Sequence, residues 1–166
     1  MISIEKVMET KYPRRVALVV CRGRKGDIDM TPVTYFTNAS HPPEPQTWTV
    51  CLSKEHYSTK IISKTREFTL CFPTVSQKKD VLYCGGISGQ KTHKLMHCDF
   101  GLVPSRKIKA PMLKGCTGCF ECKVIKKTPI YGHVLITGKV LSAEITGKGR
   151  GLYQLNHNIR MLGGIR

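Results

Sequence analysis

Acidic residues are scarce in this chain of 166 residues. Its 11 Asp and Glu stand against 27 Lys and Arg, which gives a formal net charge of +16. Such a charge attracts anions, whether nucleic acid, a phosphorylated cofactor or an acidic protein. The basic residues are spread from Arg14 to Lys148 rather than gathered in one arm, as they more often are in nucleic-acid-binding proteins. A basic nucleic-acid-binding protein without a cofactor is therefore only a remote alternative.

Long apolar runs are also missing. No stretch approaches the roughly 20 apolar residues of a membrane span, and residues 1–11 lack the layout of a signal peptide. We therefore expect a cytoplasmic protein without membrane contact, and its eight cysteines as reduced thiols. The length and the apolar content of 40% predict a single domain over residues 1–166.

The common catalytic signatures are absent as well. The chain has no GKS/T, GxGxxG, HExxH or GxSxG motif, and its six histidines form no triad spacing. These absences leave hydrolases, P-loop proteins and Rossmann dehydrogenases without support. We predict no catalytic residue for proton transfer.

Two overlapping CxxC spacings join Cys116, Cys119 and Cys122. A structural zinc site needs four ligands, and no second CxxC pair is present. Small residues packed at the start of a strand are the favoured interpretation, and no metal site is predicted. A metal site and a redox-active thiol pair stay open as alternatives.

Most of the chain has the pattern of short strands separated by turns. We predict strands over 15–21, 30–37, 47–52, 67–72, 120–125 and 131–143, helices over 57–65 and 91–98, a helical turn over 80–83 and a loop-like tail over 151–166. Pro32 indicates an edge, a bulge or a strand start. Many short strands with few helices predict a mainly-β, barrel-like domain.

Hydroxyl and lysine side chains crowd the predicted start of the helix over 57–65. Ser58 is its predicted N-cap, with Thr59, Lys54 and Lys60 beside it. Free N–H groups and the positive end of the helix dipole suit a phosphate there. The same residue types cap ordinary surface helices, which is the stronger interpretation on composition alone. A glycine-rich loop over 85–89, followed by Lys94, is a weaker candidate anion site.

The order of several motifs over residues 13–160 resembles the flavin reductase-like family, particularly its flavoredoxin branch. The motifs are RVALVVC, DMTPVTYFTNASHPPEP, SKEHYSTKIISKTREFTLCFPT, CGGISGQKTHKL and KIKAPMLKGCTGCFECKV. The resemblance implies a mainly-β Greek-key split β-barrel with a few short helices. It also implies a homodimer that binds FMN near the subunit interface.

By motif position, the resemblance implies three groups of FMN-binding residues. Met30, Thr31, Pro32, Val33 and Thr34 would face the isoalloxazine ring; Ser53, Lys54, Tyr57, Ser58 and Thr59 would hold the phosphate; Ser88, Gly89 and Lys94 would close the site. The backbone N–H groups of residues 31–34 are expected to stabilise the reduced, anionic ring.

The implied function is that of an FMN-dependent oxidoreductase. Electrons would pass from a donor such as NAD(P)H through FMN to free flavin, ferric iron or a redox protein, while the protein supplies orientation and electrostatics. An alternative of a different class is an electron-carrier flavoprotein without nicotinamide turnover. Its positive charge would then steer an acidic redox partner toward it.

Overall fold

The computed structural model describes residues 2–165, which form mainly strands. The strands are β1 (Arg14–Arg15), β2 (Ala17–Arg22), β3 (Ile28–Val33), β4 (Phe36–Asn38), β5 (Thr47–Ser53), β6 (Glu67–Cys71), β7 (Leu102–Val103), β8 (Met112–Leu113), β9 (Cys119–Ile130), β10 (His133–Glu144), β11 (Tyr153–Gln154) and β12 (Leu162–Gly163). The helices are α1 (Ile4–Met8), α2 (Tyr57–Thr65) and α3 (Lys78–Gly86), and short 3₁₀ turns cover Glu9–Lys11, Val75–Gln77 and Lys94–His97.

Seven antiparallel strands form the main sheet, in the order β3-β2-β6-β9-β10-β5-β4. The pairing of β9 with β10 shifts register after Thr137 and again after Val140, and such irregularities increase local twist and bend a sheet. Gly138 lies at the first shift, where a Cβ atom would come within 2.8 Å of a Phe68 ring carbon. The sheet curls into a half-barrel, which confirms the predicted mainly-β split barrel with a few short helices.

The second strand is buried on both faces. Side chains alternate along a strand, so Val19 joins the apolar cluster that includes Phe68 and Ile136, whereas Leu18 and Val20 join a second cluster. The second cluster includes residues of α3 and β8. Both faces of β2 are therefore covered, and its neighbour β3 lies at the edge of the sheet.

The helices α2 and α3 both pack against β3. Helix α2 covers the residues predicted for it and ends at Arg66, whose φ of 62° is in the left-handed region that often terminates helices. Within residues 2–165, no helix combines the length and apolarity needed to cross a bilayer.

Several predicted boundaries were wrong for local reasons. The run over 30–37 is two strands, β3 and β4, that pair with different neighbours. The N-cap of α2 is His56 rather than Ser58, whose hydroxyl is hydrogen-bonded to Thr31. Only residues 94–97 of the predicted helix over 91–98 are helical, and as a 3₁₀ turn.

Two further predictions also need correction. Gly85 and Gly86 form the last residues of α3 rather than a loop. The tail carries β11 and β12, which pair with each other, while β11 pairs with β1. The tail is thereby held next to α3, because Leu162 packs in the same apolar cluster as Val81.

Candidate functional site

A cleft of about 450 Å³ lies beside the edge strand β3. The N-terminal end of α2 forms one wall, the C-terminal end of α3 and the segment after it form another, and the tail around Arg160 contributes a third. Its lining includes Asp29, Thr31, Pro32, Val33, Thr34, His56, Tyr57, Ser88, Gly89, Lys94 and Arg160. The volume is in the range of small-molecule and cofactor pockets.

The backbone of β3 offers one free side to this cleft. Asp29, Thr31 and Val33 pair with Cys21, Val19 and Ala17 of β2, and the Cys21 thiol lies beside the Asp29 carbonyl. The carbonyl of Met30 instead accepts a hydrogen bond from Lys94 Nζ at 2.7 Å, on the side away from β2.

Backbone groups alternate between the two sides of an antiparallel edge strand, so Pro32 has its free side on the same edge as Met30. Proline has no N–H to leave unpaired there, which is why an edge strand tolerates it. The sequence-based expectation that four consecutive N–H groups face a ligand is therefore wrong in detail. Thr31 and Val33 turn theirs toward β2, and Pro32 has none.

A buried ion pair lies at one wall of the cleft. Lys94 Nζ is 2.8 Å from Asp29 Oδ1, and the two side chains are 3% and 1% exposed. The contact is electrostatic, since Asp29 Oδ1 accepts no well-directed hydrogen bond and the ammonium directs one to the Met30 carbonyl. Lys94 therefore holds the 3₁₀ turn after α3 against β3.

The structure brings most of the residues implied for the ring and for closure together at the cleft. Those that line it are Thr31, Pro32, Val33, Thr34, Ser88, Gly89 and Lys94, and Tyr57, which was implied for the phosphate, lines it as well. Met30 does not, because its side chain is fully buried in the cluster beneath α3. Its carbonyl is the part of the residue nearest the cleft wall.

The residues implied for the phosphate are divided between two sides of α2. The Ser58 hydroxyl is buried and lies 2.9 Å from the Thr31 hydroxyl. Thr59 donates its hydroxyl hydrogen to the Ser53 carbonyl at 2.8 Å and is only 6% exposed. Lys54 and Thr59 line a second, more open depression together with Lys60, Ser63, Lys64 and Lys127. Their role in binding a phosphate remains a prediction.

The N-terminal end of α2 is without a side-chain cap. His56 occupies the N-cap position but makes no capping hydrogen bond, and its ring lines the cleft. Burial and the nearby Lys94 lower the pKa of His56, which leaves the ring neutral at pH 7. The first N–H groups of α2 thus lie at the cleft wall, where an anion can accept their hydrogen bonds.

Several cleft residues lie outside the predicted site residues, among them Asp29, His56, Ile159 and Arg160. The first two stand next to predicted residues in the sequence, so proximity to the motifs was the available signal. The tail residues reach the cleft only through the pairing of β11 with β1, which no local pattern predicts.

The three cysteines of the CxxC spacings do not converge. Cys116 and Cys119 are buried in the cluster beneath α3, whereas Cys122 belongs to the cluster on the other side of the sheet. Among residues 2–165, no three His, Cys, Asp or Glu side chains are grouped as a metal ion would require.

Known proteins resemble this chain in sequence and in fold. An uncharacterized protein of Pyrococcus abyssi is 31% identical over 131 residues, which cover 79% of this chain and 73% of the relative. The crystal structure of flavoredoxin from Methanosarcina acetivorans matches with a TM-score of 0.84 at 22% identity, covering 100% of this chain and 91% of the other.

A structure of the FMN-binding protein from Thermus thermophilus, with bound 1-cyclohex-2-enone, has a TM-score of 0.81 at 19% identity. It covers 99% of this chain and 90% of its own. The model of the flavin reductase like domain matches residues 8–163, which include all of the cleft. The resemblance seen in the motifs is thereby confirmed, and the chain belongs to the flavin reductase-like family.

Proposed function

We propose that this protein binds FMN in the cleft beside β3 and acts as a flavin-dependent oxidoreductase. The observation that carries the proposal is the uncapped N-terminal end of α2 at the wall of a cofactor-sized cleft. A cleft lined by both apolar and polar residues, with an anion site at one end, fits a flat ring that carries a phosphate. Family membership and the similarity to an FMN-binding protein support the choice of FMN.

The cleft residues fit the two parts of this cofactor. The ring would lie along β3, where Pro32 and Thr34 are half-buried and Gly85 leaves room, since a Cβ atom there would lie 3.0 Å from Pro32 Cγ. The phosphate would accept hydrogen bonds from the first N–H groups of α2, near His56 and Tyr57. The net charge of +16 favours the binding of any anionic cofactor, FMN included.

Bound FMN would supply the redox chemistry, as it accepts and donates electrons. The chain's own residues would bind and orient it. Lys94, which is paired with Asp29, would hold the wall formed by the segment after α3 in place beside the ring. Tyr57 donates a hydrogen bond to Asp27 at 2.8 Å, which fixes the entrance beside α2.

The experiment is a comparison of FMN with riboflavin. The purified protein is titrated with each flavin, and binding is followed by absorbance and by quenching of flavin fluorescence. Because a phosphate hydrogen-bonded to N–H groups contributes about 1.5–3 kcal/mol, FMN should bind roughly tenfold to hundredfold more tightly than riboflavin. Equal affinities would remove the phosphate site, and failure to bind either flavin would remove the proposed function.

A second candidate function is that of an electron carrier without nicotinamide turnover. The similarity to a flavoredoxin and the large positive charge, which would steer an acidic redox protein, favour it. Anaerobic mixing of the FMN-loaded protein with NADH and with NADPH separates the two functions. Bleaching of the flavin with nicotinamide oxidation supports the reductase, whereas bleaching only by a reduced acidic protein supports the carrier.

We also infer that the protein is a homodimer. The strands β3 and β4 are the two edges of the main sheet. Exposed edges of this kind are usually covered. Sedimentation at micromolar concentration is expected to give twice the chain mass of 18.6 kDa, and a monomer with FMN bound would contradict this.

A further inference from the structure

A pair of thiols lies in contact where the two ends of the segment that forms one wall of the cleft meet. Cys84 lies in α3 and lines the cleft, and Cys98 follows the 3₁₀ turn Lys94–His97 directly. Their sulfur atoms are 3.6 Å apart, although the residues are 14 positions apart in the chain. Both cysteines are free, and their sulfur atoms are in van der Waals contact, so the two thiols are placed to react with each other.

We propose that Cys84 and Cys98 are an oxidisable pair that forms a disulfide when the protein meets a peroxide. The proposal goes beyond flavin binding and does not depend on it. Among the described residues, other sulfurs also lie near one another, but Cys71, Cys116 and Cys119 are all fully buried. Cys98 is only half-buried, so a small oxidant can reach its sulfur, whereas Cys84 is buried but lines the cleft.

The chemistry requires one hydrogen peroxide for each pair. The Cys98 sulfur takes one oxygen of the peroxide as the O–O bond breaks, which gives a sulfenic acid and one water. The Cys84 sulfur then bonds to the Cys98 sulfur and displaces that oxygen as a second water. The two thiols lose two electrons and two protons in total, and these reduce the peroxide to two waters.

The rate of this reaction depends on the thiolate form. Burial raises the pKa of the Cys98 thiol, and Asp80 and Asp99 add to this, while the Cys84 thiol and Lys94 act in the opposite direction. Burial raises the pKa of Cys84 even further. Oxidation should therefore be slow at neutral pH and faster at about pH 9, as thiolates are the reactive species.

The disulfide would close a ring around the wall of the cleft. The segment between the two cysteines contains Ser88 and Gly89, which line the cleft, and Lys94, which pairs with Asp29. A cross-link over a loop of this length restricts mainly the unfolded chain, and it should raise Tm by roughly 6–12 °C. Amide hydrogen exchange over residues 85–97 should slow as well, because local opening of the wall is then restrained.

The test is oxidation of the full chain by hydrogen peroxide at about pH 9, followed by tryptic mapping without reduction. Cleavage at the neighbouring lysines and arginines places the two cysteines in peptides 80–91 and 95–106. We expect these peptides to appear linked, with a mass lower by two hydrogens, and to separate after treatment with dithiothreitol. Hydrogen exchange and Tm are measured on the same oxidised sample.

Two variants make the result specific. Cys98→Ser should lose both the linked peptide and the rise in Tm, whereas Cys51→Ser should keep both, since Cys51 is also half-buried but lies in β5. Cys98 found as a sulfinic acid with Cys84 still free would overturn the proposal. A bond among Cys71, Cys116 and Cys119, or a linked pair without slower exchange over 85–97, would also overturn it.

Discussion

Lys94 and Asp29 form an ion pair with a 2.8 Å separation, and almost none of either side chain is exposed. Asp29 lies in β3 and Lys94 in the 3₁₀ turn after α3, so the two residues belong to different elements. Their contact attaches the segment after α3 to the edge strand β3. It thereby fixes the distance between these two sides of the cleft. The cleft depends on this pair in a way that can be measured.

We expect Lys94→Met to lower the free energy of unfolding by about 3–5 kcal/mol, because it leaves a buried carboxylate without its cation. The double variant Lys94→Met with Asp29→Asn should recover part of the loss, as the unpaired charge is then removed. Urea unfolding of the three proteins measures this. A double variant less stable than Lys94→Met would show that the pair is not the source of the effect.

The glycine at position 89 offers a sharper probe of the same wall. A Cβ atom at Gly89 would come within 2.2 Å of Asp29 Oδ1, so Gly89→Ala must displace either the carboxylate or the loop. Displacement of this size typically costs about 1–3 kcal/mol. We expect lower stability and weaker FMN binding.

Gly86→Ala is the matched control for that variant, since nothing lies within 4 Å of the Cβ position at Gly86. Gly86 lies in α3, where alanine is favoured over glycine, so this variant should be as stable as the parent or more so. Thermal unfolding and FMN titration of both variants provide the comparison. Similar losses at the two positions would mean that the contact with Asp29 is unimportant.

The N-cap of α2 allows stability to be separated from cofactor binding. His56→Asp should stabilise the helix by about 1 kcal/mol, because Asp is a good N-cap and His56 makes no capping bond. The same carboxylate would repel the FMN phosphate and weaken FMN binding roughly fivefold. Riboflavin binding should not change.

His56→Asn provides the control, since asparagine caps a helix without adding charge. It should gain similar stability and retain more of the FMN affinity than His56→Asp. Differential scanning calorimetry and flavin titration measure the two quantities. If both variants bind FMN as the parent does, the phosphate lies elsewhere, with the lysine-lined depression around Lys60 and Lys127 as the next place to examine.

The titration of His56 should report the cofactor directly. Burial and Lys94 lower the pKa of its ring below the ordinary value, so the folded state binds fewer protons than the unfolded chain over that interval. This contribution to stability is present above the unfolded pKa, about 6.5, and decreases as the pH falls toward the folded pKa. FMN should raise the pKa of His56 and riboflavin should not, as NMR titration of the ring can measure.

Much of the fold followed from local patterns in the sequence. Helix α2 has the bounds predicted from its spacing, and β5 and β6 lie where β-branched and aromatic residues favoured strands. Pro32 indicated an edge, a bulge or a strand start, and the first of these is what the structure has, since β3 is an edge strand beside the cleft. Such features depend on residues close together in sequence, and these can be judged without a tertiary structure.

The hydrogen bonds of the site could not be predicted in this way. Thr59 was assigned to a phosphate by its position in a motif, but its hydroxyl donates to the Ser53 carbonyl. Lys94 was expected to face the cofactor. Its ammonium also contacts the Asp29 carboxylate and the Met30 carbonyl, which are far from it in the sequence. A sequence shows which groups are able to bond, whereas tertiary packing decides which partner each one meets.

The tail has a consequence for how the site is made. Arg160 and Ile159 line the cleft, and β11 reaches it by pairing with β1, so one wall comes from residues that are translated after β3 and α2. During synthesis, β3 and α2 emerge from the ribosome long before the tail that closes the cleft. The cleft is therefore complete only once the tail has paired with β1, and we expect a chain that lacks the tail to retain a cofactor less well.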